Sequence, residues 1–420
     1  MLNPERAYKD VVKVLRSLEA AGYSARLAGG CVRDRLLGLT PADYDVATDA
    51  LPDVVLQHFR TEERSTIPTG IDHGTITVVM PSGPVEVTTL RKDVETDGRH
   101  AQVAFGTSFQ DDAERRDFTI NAMFEDADGR VYDDVGGQED LKAGVLRFVG
   151  AAQERIKEDY LRILRLFRFW AKLGFVPVAG TLEAVAAERE GLSRVSQERI
   201  TTEMLQLLGA PHAHDALVAM CSTGVWQVVL PELQAAAGLP DASVMQIWHD
   251  RLAPSHRSVA ILGGICLRFA HLNAAELLRL AERLRLSNQD GKRLAFFAQG
   301  AELLKMSAFK QTADLLDVVD RCDHAGGADA WTQVYAPIWS ADAGLKAVTL
   351  AVDQAEQKHG HLRRAKLPLS GRDLSKGLGM ATGPEMGHML EALKRSYRNG
   401  EWRSAEEGLE AARALLGKGV

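Results

Sequence analysis

The sequence predicts an α/β domain followed by a long all-helical region. Three observations carry this reading. Up to residue 148, strand-like and helical segments interleave across short links, as one α/β layer structure requires. Beyond Gly150 the chain turns rich in Ala, Leu, Arg and Glu, with apolar residues at helical spacing. The length of 420 residues points to two to four domains at ~100–200 residues each.

The elements follow in order. Residues 7–21 form an amphipathic helix that meets Gly22. A short strand over 24–28 runs into Gly29-Gly30, and a helix over 31–37 stops at Gly38. Strands are expected over 44–48, 74–80 and 85–90, the last two joined by Pro81-Ser82-Gly83-Pro84, a strong turn signal. Helices fill residues 151–420, with breaks near Gly174, Gly180, residues 209–211 and 238–240, Gly326-Gly327 and Leu367-Pro368.

Composition narrows the class. Hydrophobic residues at 45% and charged residues at 25% exclude wholesale disorder. No apolar run approaches the ~18–20 residues of a membrane span. The charged start, residues 1–6, has no apolar core, so no secretory signal is expected. Cys31, Cys221, Cys266 and Cys322 lie far apart, with no CxxC half-site and no disulfide framework, which fits a reducing, cytoplasmic setting. The net charge of −7 does not exclude a nucleic-acid partner, because a basic surface can be local.

Two constellations carry chemistry. In the first, Gly29-Gly30 lies between a strand and a helix, where backbone N–H groups can approach an anion. Asp43 and Asp45 follow as a DxD on a strand, and positions i and i+2 share a face, as hard divalent cations require of their carboxylates. Together they suggest a nucleoside triphosphate on metal ions. An isolated DxD is common, so this pattern alone does not settle the matter. The chain lacks GxxxxGK[ST], which excludes a Walker loop, and lacks GxGxxG at Gly29, which argues against a dinucleotide fold. Glu86, between β-branched neighbours, is either a solvated edge residue or a third carboxylate of the site.

The second constellation spans residues 115–168. Arg116 is suited to a triphosphate, and Asp117 and Asn121 to a ribose; the bland alternative is a helix with a solvated face. Residues 155–172 are expected to form one helix. Glu158, Asp159, Arg162, Arg165 and Arg168 fall on one half of it, with Ile163, Leu164, Leu166, Phe167 and Trp170 opposite and Leu161 and Phe169 intruding on the polar half. Arginines at i, i+3 and i+6 on a mostly buried helix need an anionic partner. That partner is a ligand or an intrahelical ladder such as Asp159–Arg162, and the neighbouring motifs favour the ligand.

The order of these blocks resembles the class II tRNA nucleotidyltransferase and bacterial poly(A) polymerase family of the polymerase-β-like superfamily. The matching text is residues 29–34, 43–45, 86–91, 115–123, 136–141 and 155–169, with weaker likeness to Gly209 and again at 369–374. The resemblance implies a polymerase-β-like α/β nucleotidyltransferase head over 1–148, then an all-α neck over 149–208, body over 209–330 and tail over 331–420, in a seahorse-like shape. It implies Mg²⁺-dependent, template-independent addition or repair of the 3′-terminal CCA of tRNA from CTP and ATP. Asp43 and Asp45 would hold Mg²⁺, with Glu86 as the further catalytic carboxylate. Gly29, Gly30, Arg33 and Arg116 would meet the triphosphate, Asp117 and Asn121 the ribose. Asp159 and Arg162 would read the base, with Arg165 and Arg168 completing the nucleotide pocket.

Partial (CC- or A-only) addition and poly(A) synthesis share this head. Residues 92–102 resemble the flexible charged loop of full CCA-adding members, and 69–76 also resemble that type, so full CCA addition is expected. A non-catalytic RNA-binding protein would not need both aspartates of the DxD, and both are present. His214-Asp215 and His249-Asp250 lack the Gly-Lys that follows in metal-dependent phosphohydrolases of this group, so that activity is not expected. Between residues 358 and 398, nine Lys/Arg stand against three acids, a local basic excess that suits tRNA phosphates.

Overall fold

The computed structural model describes residues 4–71, 74–96, 101–105, 108–233, 239–267, 272–306, 312–326, 329–340 and 345–417. Side chains are described for these except 92–96, 101–104, 302–306, 312, 325–326 and 363–364. The chain divides into two compact units, Met1–Pro231 and Glu232–Val420.

The first unit opens with α1 (Pro4–Ala20), whose Val11, Val14, Leu15 and Leu18 are buried at i, i+3, i+4 and i+7. Next come β1 (Ala25–Ala28), α2 (Gly30–Leu36) and β2 (Asp45–Thr48). The helix α3 (Pro52–Thr61) starts on a proline in its first turn. Then follow β3 (Thr66–Gly70), β4 (Thr75–Met80), β5 (Gly83–Thr89), β6 (Arg91–Thr96), β7 (Ala101–Phe105), α4 (Phe109–Glu114), β8 (Phe124–Glu125) and β9 (Val131–Tyr132). Seven strands form one mixed sheet in the order β3-β4-β5-β2-β1-β8-β9. Its pairs are antiparallel except β2 with β5, which run parallel and set Asp45 beside Glu86.

The α/β head followed by helices is therefore as the sequence predicts. The opening helix and the strands expected near 24–28, 44–48, 74–80 and 85–90 are present as α1, β1, β2, β4 and β5. Sequence reasoning had not placed α3, β3, β8 or β9. The charged stretch 92–102, expected as a loop, contributes to an antiparallel hairpin of β6 and β7; residues 97–100 lie outside the described residues.

Gly29 makes the β1–α2 turn at φ 74, and a Cβ there would fall 2.6 Å from Arg116 Nη1 and 3.3 Å from the Asn121 carbonyl. Both the left-handed backbone and the close approach require glycine.

The helices of the first unit continue with α5 (Gly137–Ala143), α6 (Ala152–Glu158), α7 (Leu161–Leu173), α8 (Thr181–Glu188), α9 (Gln197–Leu208), α10 (Ala213–Ser222) and α11 (Val225–Val229). The single helix expected over 155–172 is two. Asp159 is extended, at φ −151 and ψ 104, between α6 and α7. Its Oδ1 accepts a hydrogen bond from the Leu161 N–H at 3.1 Å. Such a local side-chain bond offers the backbone an alternative to continuing the helix. Beyond the break Ile163, Leu164, Leu166 and Phe167 are buried, and so are Leu161 and Phe169.

The second unit has only helices among its described regular elements, including α12 (Ala242–Arg251), α13 (Arg257–Ile265), α14 (Ala274–Arg283), α15 (Asn288–Met306), α16 (Thr312–Gly326), α17 (Ala336–Trp339), α18 (Lys346–Arg364), α19 (Gly371–Leu378), α20 (Pro384–Arg398) and α21 (Ala405–Leu416). Trp248, Phe297, Trp331, Tyr335 and Trp339 are fully buried in it. A smaller cluster around Leu374, Met389, Leu393 and Trp402 ties α19, α20 and α21 together. Arg395 is paired with Asp314 and Asp317, and the buried Arg398 with Asp317 and Asp320. Two of the nine basic residues counted over 358–398 are thus neutralised by α16, outside that segment. The side chains of Arg363 and Arg364 lie outside the described residues.

No helix among the described residues is long and apolar enough to cross a membrane. All four cysteines are free thiols.

Candidate nucleotide and metal site

One cleft of ≈ 940 Å³ in the first unit gathers the residues that the sequence assigned to metal and nucleotide. Its lining includes Gly29, Gly30, Arg33, Asp43, Asp45, Glu86, Arg116, Asp117, Asn121, Asp159, Arg162, Arg165 and Arg168. They come from the β1–α2 turn and α2, from β2 and the residues just before it, from β5, from the segment after α4, and from the α6–α7 junction and α7.

The acidic end is built by register. The parallel ladder pairs Asp45 with Glu86, and Asp43 lies two residues ahead of Asp45, where the ladder has not begun. Burial, together with the charges of Asp43 and Glu86, pushes the Asp45 carboxyl up to about 6, against the pull of Arg116. A carboxylate so crowded by its own kind favours a cation among them. No group of three His, Cys, Asp or Glu side chains among the described residues is poised to hold a metal ion by itself. Two adjacent aspartates open to a cleft instead fit a hard cation such as Mg²⁺, which keeps waters and takes one or two carboxylates plus substrate phosphates.

The basic residues are held by partners. Arg33, 3% exposed, donates to Asp34 Oδ1 from Nε at 2.8 Å and Nη2 at 2.6 Å, and to Asn121 Oδ1 from Nη1 at 2.5 Å. Arg116 donates to Asp112 Oδ2 from Nε at 3.1 Å and Nη2 at 2.9 Å, and to the Asn121 carbonyl at 3.2 Å. Asn121 Nδ2 in turn donates to Asp117 Oδ1 at 3.1 Å. Arg165 donates to Asp117 Oδ2 from Nε at 2.7 Å. Burial alone would raise the Asp117 carboxyl, but the Arg165 charge and the bonds from Asn121, Arg165 and the Phe118 N–H hold it below the usual range. Arg168 closes the chain on Glu203 of α9.

At the far end the Asp159–Arg162 ladder weighed from sequence is not the pairing present. Arg162 donates to Glu158 Oε2 at 2.6 Å and to the Arg155 carbonyl at 2.8 Å. Asp159 Oδ2 accepts from Arg199 Nη2 of α9 at 2.7 Å. Arg155 reaches back across the junction, donating to the carbonyls of Glu114 at 3.0 Å and Arg116 at 2.7 Å, and so satisfies backbone groups at the end of α4.

Sequence reasoning missed Asp112, Arg155, Arg199 and Glu203. Asp112 had a local signal, since Arg115 and Arg116 stand three and four residues beyond it and both pair with it. Arg199 and Glu203 lie on one face of α9, some 35–40 residues from their partners. No local pattern announces them.

Known proteins match along the whole chain. A family model described as the poly A polymerase head domain matches residues 25–147, and one described as a probable RNA and SrmB-binding site of polymerase A matches 174–237. The zebrafish (Danio rerio) protein named CCA tRNA nucleotidyltransferase 1, mitochondrial, is 36% identical over 399 residues, covering 92% of this chain and 86% of its own. The CCA-adding enzyme of Geobacillus thermodenitrificans is 32% identical over 424 residues, covering 96% of each. The crystal structure of the Bacillus stearothermophilus CCA-adding enzyme in complex with CTP superposes with a TM-score of 0.75 at 27% identity, over 100% of both chains. With this likeness spanning head and helices alike, the chain belongs to the family of tRNA nucleotidyltransferases and poly(A) polymerases.

Proposed function

We propose that this cleft carries out template-independent addition or repair of the 3′-terminal CCA of tRNA, from CTP and ATP, with release of pyrophosphate. The observation that carries the reading is the union, in one cleft, of a crowded carboxylate end at Asp43, Asp45 and Glu86 with an arginine-lined end that terminates in Asp159 and Arg162. The relatives named above as CCA-adding enzymes support the choice of substrate.

Asp43 and Asp45 hold Mg²⁺ in this reading, with Glu86 adding the third negative charge of that end. Bound there, Mg²⁺ would supply charge that lowers the pKa of the tRNA 3′-hydroxyl and offsets that of the triphosphate and the leaving pyrophosphate. Gly29 and Gly30 leave room for the phosphates, and Arg33 and Arg116 neutralise them. Asp117 and Asn121 face the ribose, while Arg165 and Arg168 wall the nucleotide pocket. The new bond joins the 3′-oxygen to the α-phosphorus, in line with the breaking bond to pyrophosphate, and the hydroxyl proton leaves toward the carboxylate end.

Asp159 and Arg162 present an acceptor and a donor set to the base. Cytosine and adenine both offer an amino donor beside a ring-nitrogen acceptor; uracil and guanine offer the inverse. An ionised aspartate only accepts and a guanidinium only donates, so C and A pair while U and G leave polar groups opposed. The free thiols and the likeness to bacterial enzymes support a cytoplasmic setting in this reading.

Incubating the purified protein with tRNA lacking its terminal A, plus each labelled nucleotide and Mg²⁺, tests the reading. Label is expected from ATP alone on that substrate, and from CTP on tRNA lacking all three residues. Label from UTP on either substrate, or none from CTP on tRNA lacking all three residues, would contradict it.

A further inference from the structure

The residue between the two aspartates has its own setting. The sheet register puts Val46, Leu27 and Glu125 on one face and Asp45 with Glu86 on the other. Extended backbone alternates its side chains, so Tyr44 turns away from the cleft toward the face of Glu125. That face carries a tight polar cluster. Glu125 is 3% exposed. It accepts from Arg35 Nε of α2 at 3.1 Å and Nη2 at 3.0 Å, and from the Tyr8 hydroxyl of α1 at 3.1 Å. The Arg35 guanidinium lies 3.7 Å over the Tyr8 ring. The Tyr44 ring stands 6.3 Å from that of Tyr8, tilted by 46°. Burial pushes the Tyr44 hydroxyl up, and the Arg35 charge pulls it part of the way back.

Asp43 needs such a tie. The ladder from β2 to β5 begins with Asp45 opposite Glu86, so strand pairing fixes the second aspartate and not the first. Cys31 adds a weak hold on the Asp45 carbonyl, at 3.8 Å, again on the strand side.

We propose that Tyr44 is a positioning residue for the metal-holding pair, anchoring the segment 43–45 to the Tyr8–Arg35–Glu125 cluster and thereby setting the separation of the Asp43 and Asp45 carboxylates. This rests on the reading of those aspartates as metal ligands. The cluster is to the carboxylates what outer hydrogen-bonding partners are to any metal ligand: it removes freedom that binding would otherwise have to freeze out. It also gives the N-terminal helix, through Tyr8, a role at a site it does not line.

The test is Mn²⁺ binding to the nucleotide-free protein, read from the free-ion signal in electron paramagnetic resonance, with folding monitored by circular dichroism. Asp45→Asn is the control. Tyr44→Leu should bind Mn²⁺ about tenfold more weakly or worse. Tyr44→Phe, which keeps the ring, should fall between it and the native protein. At saturating Mn²⁺ the leucine variant should keep the native KM for CTP. If Asp45→Asn weakens Mn²⁺ binding and Tyr44→Leu, though folded, binds as the native protein does, the anchoring proposal is overturned and the metal assignment stands. If Asp45→Asn itself binds Mn²⁺ normally, the metal assignment falls and the proposal with it. Should Tyr44→Leu not fold, native Mn²⁺ affinity in Tyr44→Phe together with a weakened Asp45→Asn overturns the anchor.

Discussion

Asp117 and Arg165 join the segment after α4 to helix α7: Nε and Nη2 of the arginine both meet one carboxylate oxygen, Asp117 Oδ2, at 2.7 and 2.6 Å. The other oxygen takes the Phe118 N–H at 2.8 Å and Asn121 Nδ2 at 3.1 Å. Through Asn121 and Arg33 the bonds continue to Asp34, and Lys172 of α7 returns to Asp34 at 3.3 Å. The residues assigned to the triphosphate and ribose are thus fixed against the helix that carries Arg162, Arg165 and Arg168.

Asp117→Asn should therefore cost stability as well as activity. Removing one partner of a buried pair costs ~3–5 kcal/mol, and Arg165 is a third exposed, so about 2–3 kcal/mol is expected. The native Asp117 carboxyl is depressed below its ordinary 3.8, so its contribution is present above that value and is lost as pH falls through the folded value. Urea midpoints measured from pH 6 to pH 3 should fall more steeply for the native protein than for Asp117→Asn. Parallel curves would count against the ion pair.

Asp45 behaves in the opposite sense. Its folded carboxyl is raised from 3.8 to about 6, so folding favours the protonated form. In EDTA the stability is greatest below the unfolded value and is lost as pH rises through about 6. Asp45→Asn should abolish addition of both C and A yet stabilise the metal-free protein at pH 8, by roughly 2–3 kcal/mol, with the gain vanishing near pH 4. Thermal melts at the two pH values check this; an equal effect at both would show that the carboxylates do not crowd one another.

Base selection gives a third expectation. Asp159→Ala should lose efficiency with CTP and ATP together and admit UTP or GTP more readily. Arg199 is bonded to Asp159 Oδ2 at 2.7 Å, on the carboxylate that accepts from the base in this reading. Arg199→Ala should thus change KM for CTP and ATP in the same direction. Steady-state kinetics on all four nucleotides decide; loss of ATP use alone in Asp159→Ala would contradict the shared reading of C and A.

Shortening the charged stretch 92–102 should spare CTP addition and impair the final A. The stretch 92–102 resembles an element of full CCA-adding members, and its charged sequence is connected to the sheet through Leu90 and Arg91. Single-turnover rates for C and A falling in equal proportion would show that the hairpin is only structural.

Much of the site was legible because its motifs are local. Gly29-Gly30 and Asp43-Tyr44-Asp45 each act within a few residues, and glycine at φ 74 or alternation along an extended segment can be read from adjacent positions. The parallel pairing of Asp45 with Glu86 could not be, because it joins strands 41 residues apart and depends on a crossover. The break at Asp159 was hidden because apolar spacing runs on across it, while one side-chain bond to Leu161 decides the backbone. Strands β8 and β9, of two residues each, are too short to show a period. The pairing of Arg395 and Arg398 was invisible within 358–398, since their aspartates belong to α16.

The central claim is that one cleft adds C and then A and stops. Sequencing the 3′ ends made by the native protein on tRNA lacking CCA, supplied with all four nucleotides and Mg²⁺, tests it most directly. The account predicts ends that read CCA with nothing beyond. Ends that stop at CC, or tails of repeated A, would contradict it.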